Sequence, residues 1–223
     1  MTDAHCHVSC GDSSVRELLI GRDFFGVHPW ETLDECKVES VKCKVEGELR
    51  SKLLANPAAG VGEIGLDRLK VRDIPPLMRE VFEAQLMLAL ELNRPVVLHG
   101  AKCWGQVVAT IRKLTTHDSQ LTAFLFHGFS RSDGLIPDIV KLNGFISVGP
   151  AVLNDHAVNY RALVKEIPLA RVLVETDADY GRPGARPSPG EIACKLAELR
   201  GMEPAELEAA VEANAARFVE ALA

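Results

Sequence analysis

Apolar residues in this chain fall into two alternating patterns: short continuous runs, and longer stretches in which they recur at i, i+3, i+4 and i+7. The clearest periodic stretch follows Pro75 and Pro76. There Met78, Val81, Phe82, Gln85, Leu88, Ala89 and Leu92 share one helical face, with prolines at the start and Asn93 and Pro95 beyond the end. The same spacing predicts helices over 104–115, 134–142, 155–166, 190–199 and 204–221. Charges at helix-like intervals predict another over 33–54, although its valines weaken helix propensity. The short apolar runs predict strands at 1–7, 23–28 (DFFGVH), 58–66 (AAGVGEIGL), 95–99 (PVVLH), 122–127 (TAFLFH), 145–148 and 171–177 (RVLVETD). The piece Val15 to Ile20 is apolar, but its pattern assigns it to neither class.

Short buried strands alternating with helices mean parallel βαβ units in an α/β fold. About seven strands favour a closed or nearly closed TIM-type (β/α) barrel over a doubly wound sheet, and such barrels carry their sites at the C-terminal ends of the strands. The chain length of 223 residues suits a single barrel domain over 1–223.

Composition narrows this further. Hydrophobic residues make up 47% and charged residues 25%, enough for a sizeable core. There is no apolar run long enough to span a bilayer and no charged-then-apolar start of secretory type, so a cytoplasmic location with no membrane association is expected. The six cysteines are scattered without a CxxC pair, which predicts reduced thiols. A net charge of −6 excludes a protein that coats nucleic acid through a broad basic surface, yet leaves room for an enzyme handling one phosphate at a metal site.

The chemistry concentrates at strand ends. His5 and His7 lie two apart in an extended segment and face the same way, a ready pair of metal ligands that needs partners from elsewhere. Glu63 is a carboxylate inside an apolar run, an expensive position unless it is paired or metal-bound. His99 and His127 close two further apolar strands, and Asp177 closes a third. Singly, each could bond a loop or cap a helix. A parallel barrel would bring all of them to one rim.

In order along the chain, DAHCH (3–7), GVHP (26–29), GEIGLD (62–67), PVVLH (95–99), FHGFS (126–130), GFISVGP (144–150), VETD (174–177) and EANAARF (212–218) resemble the successive motifs of the TatD family of metal-dependent nucleases. That family belongs to the amidohydrolase-like barrels. The resemblance implies two divalent ions, Mg, Mn or Zn: one held by His5, His7, Glu63 and Asp177, the other by Glu63, His99 and His127, with Glu63 bridging. It also implies hydrolysis of a phosphodiester by an activated water, with Glu63 and Asp177 as the catalytic carboxylates and DNA, single-stranded or at its ends, as substrate. Two such ions about 3.5–4 Å apart can clamp both the attacking and the leaving oxygen. Asp177 could accept the proton of the water.

Three departures qualify the resemblance. Only 18 residues lie between His7 and Gly26, too few for a full βα unit, so the barrel should be open or distorted between its first strand and 23–27. Lys102 follows His99 where the family often has arginine, and Asp179 stands where proline is common. These leave two alternatives: a hydrolase of a small amide, lactone or ester, and a non-catalytic metal-binding derivative of the fold. His28 is expected at the strand end in either a pocket or a structural role, His117 and His156 in solvent. Trp104 is expected at a buried helix start rather than as a base-stacking residue, and Arg68, Arg131, Arg182 and Arg186 are rim candidates for phosphate contacts. The half of the site built on His5 and His7 should hold its metal less firmly, having the least scaffold around it.

Overall fold

A computed structural model describes residues 1–33, 43–115, 122–178 and 186–220. Its strands are β1 (Thr2–Cys6), β2 (Arg16–Leu19), β3 (Phe24–Phe25), β4 (Gly60–Asp67), β5 (Val96–Ala101), β6 (Phe124–Phe126), β7 (Gly144–Val148) and β8 (Val172–Val174). The helices are α1 (Arg50–Ala55), α2 (Pro76–Glu91), α3 (Trp104–Leu114), α4 (Ile136–Lys141), α5 (Val158–Glu166), α6 (Pro189–Arg200) and α7 (Pro204–Val219). All paired strands are parallel, in a six-stranded sheet ordered β3 to β8 and a two-stranded sheet of β1 and β2.

Two seams join these sheets. On one side Ile20 and Phe24 share a single parallel bridge. On the other, Asp177 N–H donates to the His5 carbonyl at 3.1 Å, and His7 N–H to the Ala178 carbonyl at 2.8 Å. The eight strands therefore approach a barrel without one continuous ladder. Among the described residues no helix stands between β1 and β3. The expected distortion between the first strand and 23–27 is thus present, because the chain there has residues for strands but none for crossover helices.

The count of about seven strands needs one correction. Val15 to Ile20, left unassigned by its pattern, supplies β2, whose Leu18 and Leu19 are buried while Arg16 faces solvent. The helix expected over 33–54 is a π-helical turn, Lys44–Leu49, running into α1, and 34–42 lie outside the described residues. The remaining predicted helices form within a few residues of their expected bounds. In α2 the buried stripe is Met78, Val81, Phe82, Gln85, Leu86, Leu88 and Ala89, and Gln85 uses its polar end to bond both main-chain groups of Val27.

Every residue of β4 is buried, as expected of a strand covered on both faces. Gly65 in its middle has φ +150°, and a Cβ there would lie 1.9 Å from the His99 carbonyl oxygen, so only glycine lets β5 lie this close. At the other end of the strands, Asn214 of α7 is buried and donates from Nδ2 to the carbonyls of Val172 (2.7 Å) and Leu169 (2.8 Å). Phe218 of the same helix stacks on Phe24 and meets Phe145 edge-on. This helix thereby fixes the start of β8, the strand that leads to Asp177.

Candidate metal-dependent hydrolase site

His5, His7, Glu63, His99, His127 and Asp177 converge at the C-terminal rim, and His28 joins them. Glu63 is the hub. Its Oε1 lies 2.5 Å from His99 Nδ1, 2.6 Å from His127 Nε2 and 3.6 Å from His28 Nε2. Its Oε2 lies 3.4 Å from His7 Nε2 and 3.7 Å from His5 Nε2, and Asp177 Oδ1 is 3.6 Å from the same His5 nitrogen. Three sets of donor atoms each fall within 4.8 Å: His5, His7 and Asp177; His5, Glu63 and His127; His28, Glu63 and His99.

A buried carboxylate normally holds its proton. Burial does push the Glu63 pKa up, but the His127 charge and hydrogen bond, with the imidazoles of His28 and His7 also facing the carboxylate, outweigh it and hold Glu63 well below the usual carboxylate range. Burial likewise works against the charge on His127, yet Glu63, then Glu175 and Asp177, carry its pKa up to about 10. His99 is also raised: burial opposes its charge, but bonds to Asp67 and Glu63 prevail. His7 is raised chiefly by its bond to Glu63. His5 goes the other way, lowered by burial and by the charge of His127.

The test for a metal is the state of the buried nitrogens. Both ring nitrogens of His5 are buried without a hydrogen-bond partner, and so is Nδ1 of His127. Contacts of 3.6–3.7 Å from His5 to carboxylates are too long to be hydrogen bonds. A neutral imidazole aimed at carboxylates without bonding them has the chemistry of a ligand whose lone pair serves a cation. The residues fit divalent metal.

Three carboxylates that sequence reasoning passed over support these groups. Asp67 Oδ2 accepts from His99 Nε2 at 2.7 Å, which leaves Nδ1 as the nitrogen facing Glu63. Glu175 is fully buried, accepts from Gly128 N–H (2.8 Å) and Ser147 Oγ (2.6 Å), and stands 3.8 Å from His127 Nδ1. Burial pushes its pKa up to about 7 against the opposing charge of His127. Asp3, buried two residues before His5, binds Thr176. All three stand in apolar strands or at their ends, so the cost of burying a charge that drew attention to Glu63 applied equally to them.

Trp104 is buried, its ring centroid 5.5 Å from both Phe126 and Phe129, as expected of a core residue at a helix start. Lys102 is exposed in the turn after β5, with φ +57°. Arg68 is exposed and donates to the Arg72 carbonyl, and Arg186 is exposed before α6. Arg131 lines a separate cleft with Ser130, Asn159, Tyr160 and the exposed His156. His117, Asp179 and Arg182 lie outside the described residues. Cys6, Cys10, Cys43, Cys103 and Cys194 are free thiols, and Cys36 lies outside the described residues.

A histidine and carboxylate cluster at the C-terminal rim of a parallel, distorted (β/α) barrel is the hallmark of a metal-dependent hydrolase. The chain belongs to the TatD-related DNase family, whose profile matches residues 21–220. It is 29% identical over 200 residues to the uncharacterized metal-dependent hydrolase YabD of Bacillus subtilis, covering 86% of this chain and 75% of that protein. It is 33% identical over 178 residues to the 3'-5' ssDNA/RNA exonuclease TatD of Pectobacterium atrosepticum, covering 74% and 67%. Among solved structures, the TatD homologue YJJV of Escherichia coli superposes with a TM-score of 0.70 at 25% identity, covering 93% of this chain and 78% of that one. No helix among the described residues is long and apolar enough to cross a membrane.

Proposed function

We propose that this chain is a divalent-metal-dependent nuclease that hydrolyses phosphodiester bonds at the ends of single-stranded DNA or RNA. The observation that carries the reading is His5: a fully buried imidazole with both nitrogens unpartnered, beside a carboxylate that His127, His28 and His7 keep ionised. His5, His7, Glu63 and Asp177 are the proposed ligands of one ion and Glu63, His99 and His127 those of a second, with Glu63 common to both. The imidazole-rich donors favour a transition metal such as zinc over magnesium, which takes oxygen ligands.

When bound, the ions would supply Lewis-acid activation of water and offset charge on the phosphodiester oxygens. Asp177, at the rim and 38% exposed, is the proposed acceptor of the proton lost by the attacking water. As the water oxygen joins phosphorus, the ester oxygen leaves and takes a proton from solvent. Asp67 and Glu175 act behind the site, holding His99 and His127 in orientation. The names of the nuclease relatives support the polynucleotide substrate. The free thiols support a reducing compartment such as the cytoplasm, and the strands contributed from β1 through β8 to one rim support a single domain over 1–223.

The test is digestion of end-labelled single-stranded DNA and RNA by metal-loaded protein, alongside metal analysis of the purified chain. Metal-dependent shortening from one end, lost in Glu63→Ala with the fold intact, is the expected result. Unchanged turnover in that variant would refute the assigned site.

A further inference from the structure

An exposed aromatic stands beside the cluster of metal-ligand candidates, and neither metal binding nor hydrolysis employs it. Trp30 is 43% exposed, and among the described residues no phenylalanine, tyrosine or other tryptophan is as open to solvent. It sits on the 3-10 turn Pro29–Leu33, three residues beyond the end of β3. That turn is anchored by buried Pro29 and Thr32, with the Thr32 hydroxyl donating to the Pro29 carbonyl at 2.6 Å.

The indole itself is held in place. Nε1–H donates to Asp67 Oδ2 at 2.9 Å, the same oxygen that accepts from His99. The ring meets His28 edge-on at 4.9 Å between centroids and His99 at 6.4 Å. The Trp30 N–H also donates to His28 Nδ1 at 3.2 Å. One end of the ring is thus fixed to the site while nearly half of the residue stays in water. A bond to Asp67 alone would not require so large an apolar surface in solvent.

We propose that Trp30 is a stacking platform for the terminal base of a single-stranded polynucleotide in the site. The inference rests on the nuclease reading and adds the element that grips the strand end. Every nucleobase has a π-face, so a fixed indole beside the reacting centre holds any strand end without selecting its sequence. Lys70 supplies the matching charge. Its Nζ lies over one face of the indole, 3.6 Å from the centroid, so a base stacking on that face displaces this exposed, flexible side chain and frees its cation to meet the nucleotide's phosphate. The immobility of the ring lowers the entropy lost when a base settles on it.

The experiment compares two phosphorothioate oligothymidylates, which resist hydrolysis: one with all its bases, the other with abasic sites at the terminal positions. Binding to the metal-loaded protein is followed by tryptophan fluorescence in a Trp104→Phe background, where Trp30 is the only indole left. Saturable quenching by the base-bearing strand is expected. Trp30→Ala, followed by a labelled strand, should bind it about 10-fold to 100-fold more weakly while binding the abasic strand as before. Trp30→Phe, which keeps a ring but loses Nε1–H, should retain most of the preference for bases. With circular dichroism unchanged in both variants, a Trp30→Ala affinity within twofold of the parent would overturn the proposal. So would Trp30→Phe behaving like Trp30→Ala, since the bond to Asp67 would then be the residue's role. If the parent binds neither strand and digests no polynucleotide, the nuclease reading itself falls. Digestion without base-dependent binding removes only the platform.

Discussion

The carboxylate of Asp3 accepts both the main-chain N–H of Thr176 at 2.9 Å and its hydroxyl at 2.6 Å, across 173 residues of chain. This clasp lies beside the main-chain bonds from Asp177 to His5 and from His7 to Ala178. It ties the first strand to the last where each delivers metal-ligand candidates, so the join that closes the barrel also sets the distance between His5 and Asp177. Asp3→Ala would leave the two half-buried donors of Thr176 unpaired, at a cost of about 1–3 kcal/mol. For a chain of this size each kcal/mol lowers Tm by about 2–4 °C. Calorimetry of metal-loaded protein should show that fall together with weaker metal binding, and an unchanged Tm would remove the clasp from the account.

Asp67 and Glu175 should matter through the histidines they face. Asp67→Asn and Glu175→Gln preserve shape while removing the charge behind His99 and His127. Metal affinity should drop about 10-fold to 100-fold in each, with the fold retained. Titration against a competing chelator measures this directly, and wild-type affinity in both variants would contradict the assigned roles.

Proton release should accompany metal binding. His127, with a pKa pushed up to about 10, and His7 and His99, also raised, favour their protonated forms in the metal-free protein. A cation needs their lone pairs, so it must displace those protons. The sign follows: apparent metal affinity rises as pH rises through neutrality and is lost in acid. Calorimetric titration in two buffers of different ionisation enthalpy reads the number of protons released, and equal heats in both would refute the prediction.

The two halves of the site should differ in how firmly they hold metal. Around His7 and Asp177 the side chains are 32% and 38% exposed, whereas His99 and His127 are 14% and 9% exposed and have Asp67 and Glu175 behind them. Stepwise chelation followed by metal analysis should remove the ion of the His5 and His7 side first. The sequence suggested the same order from a lack of scaffold around β1. That reason fails, because every residue of β1 is buried and the strand is joined to neighbours on both sides. Exposure of the ligands replaces it.

The sequence by itself determined the α/β class, the helices and the identity of the convergent residues. Repeating apolar runs ended by His99, His127 and Asp177 are local signals, and parallel strands have one rim to which such ends can go. Pattern could not recover β2, a piece too short to carry a period, nor the two seams that stand in for a continuous ladder. Only the tertiary structure decided the rest. Glu63 is ionised because imidazoles from four other strand ends surround it, His5 is left without partners because its neighbours stop just beyond bonding distance, and Asp3, Asp67 and Glu175 acquire roles through residues remote in sequence. Burial and charge at these positions are sums over neighbours that the chain order keeps apart, which is why no single stretch of sequence contained them.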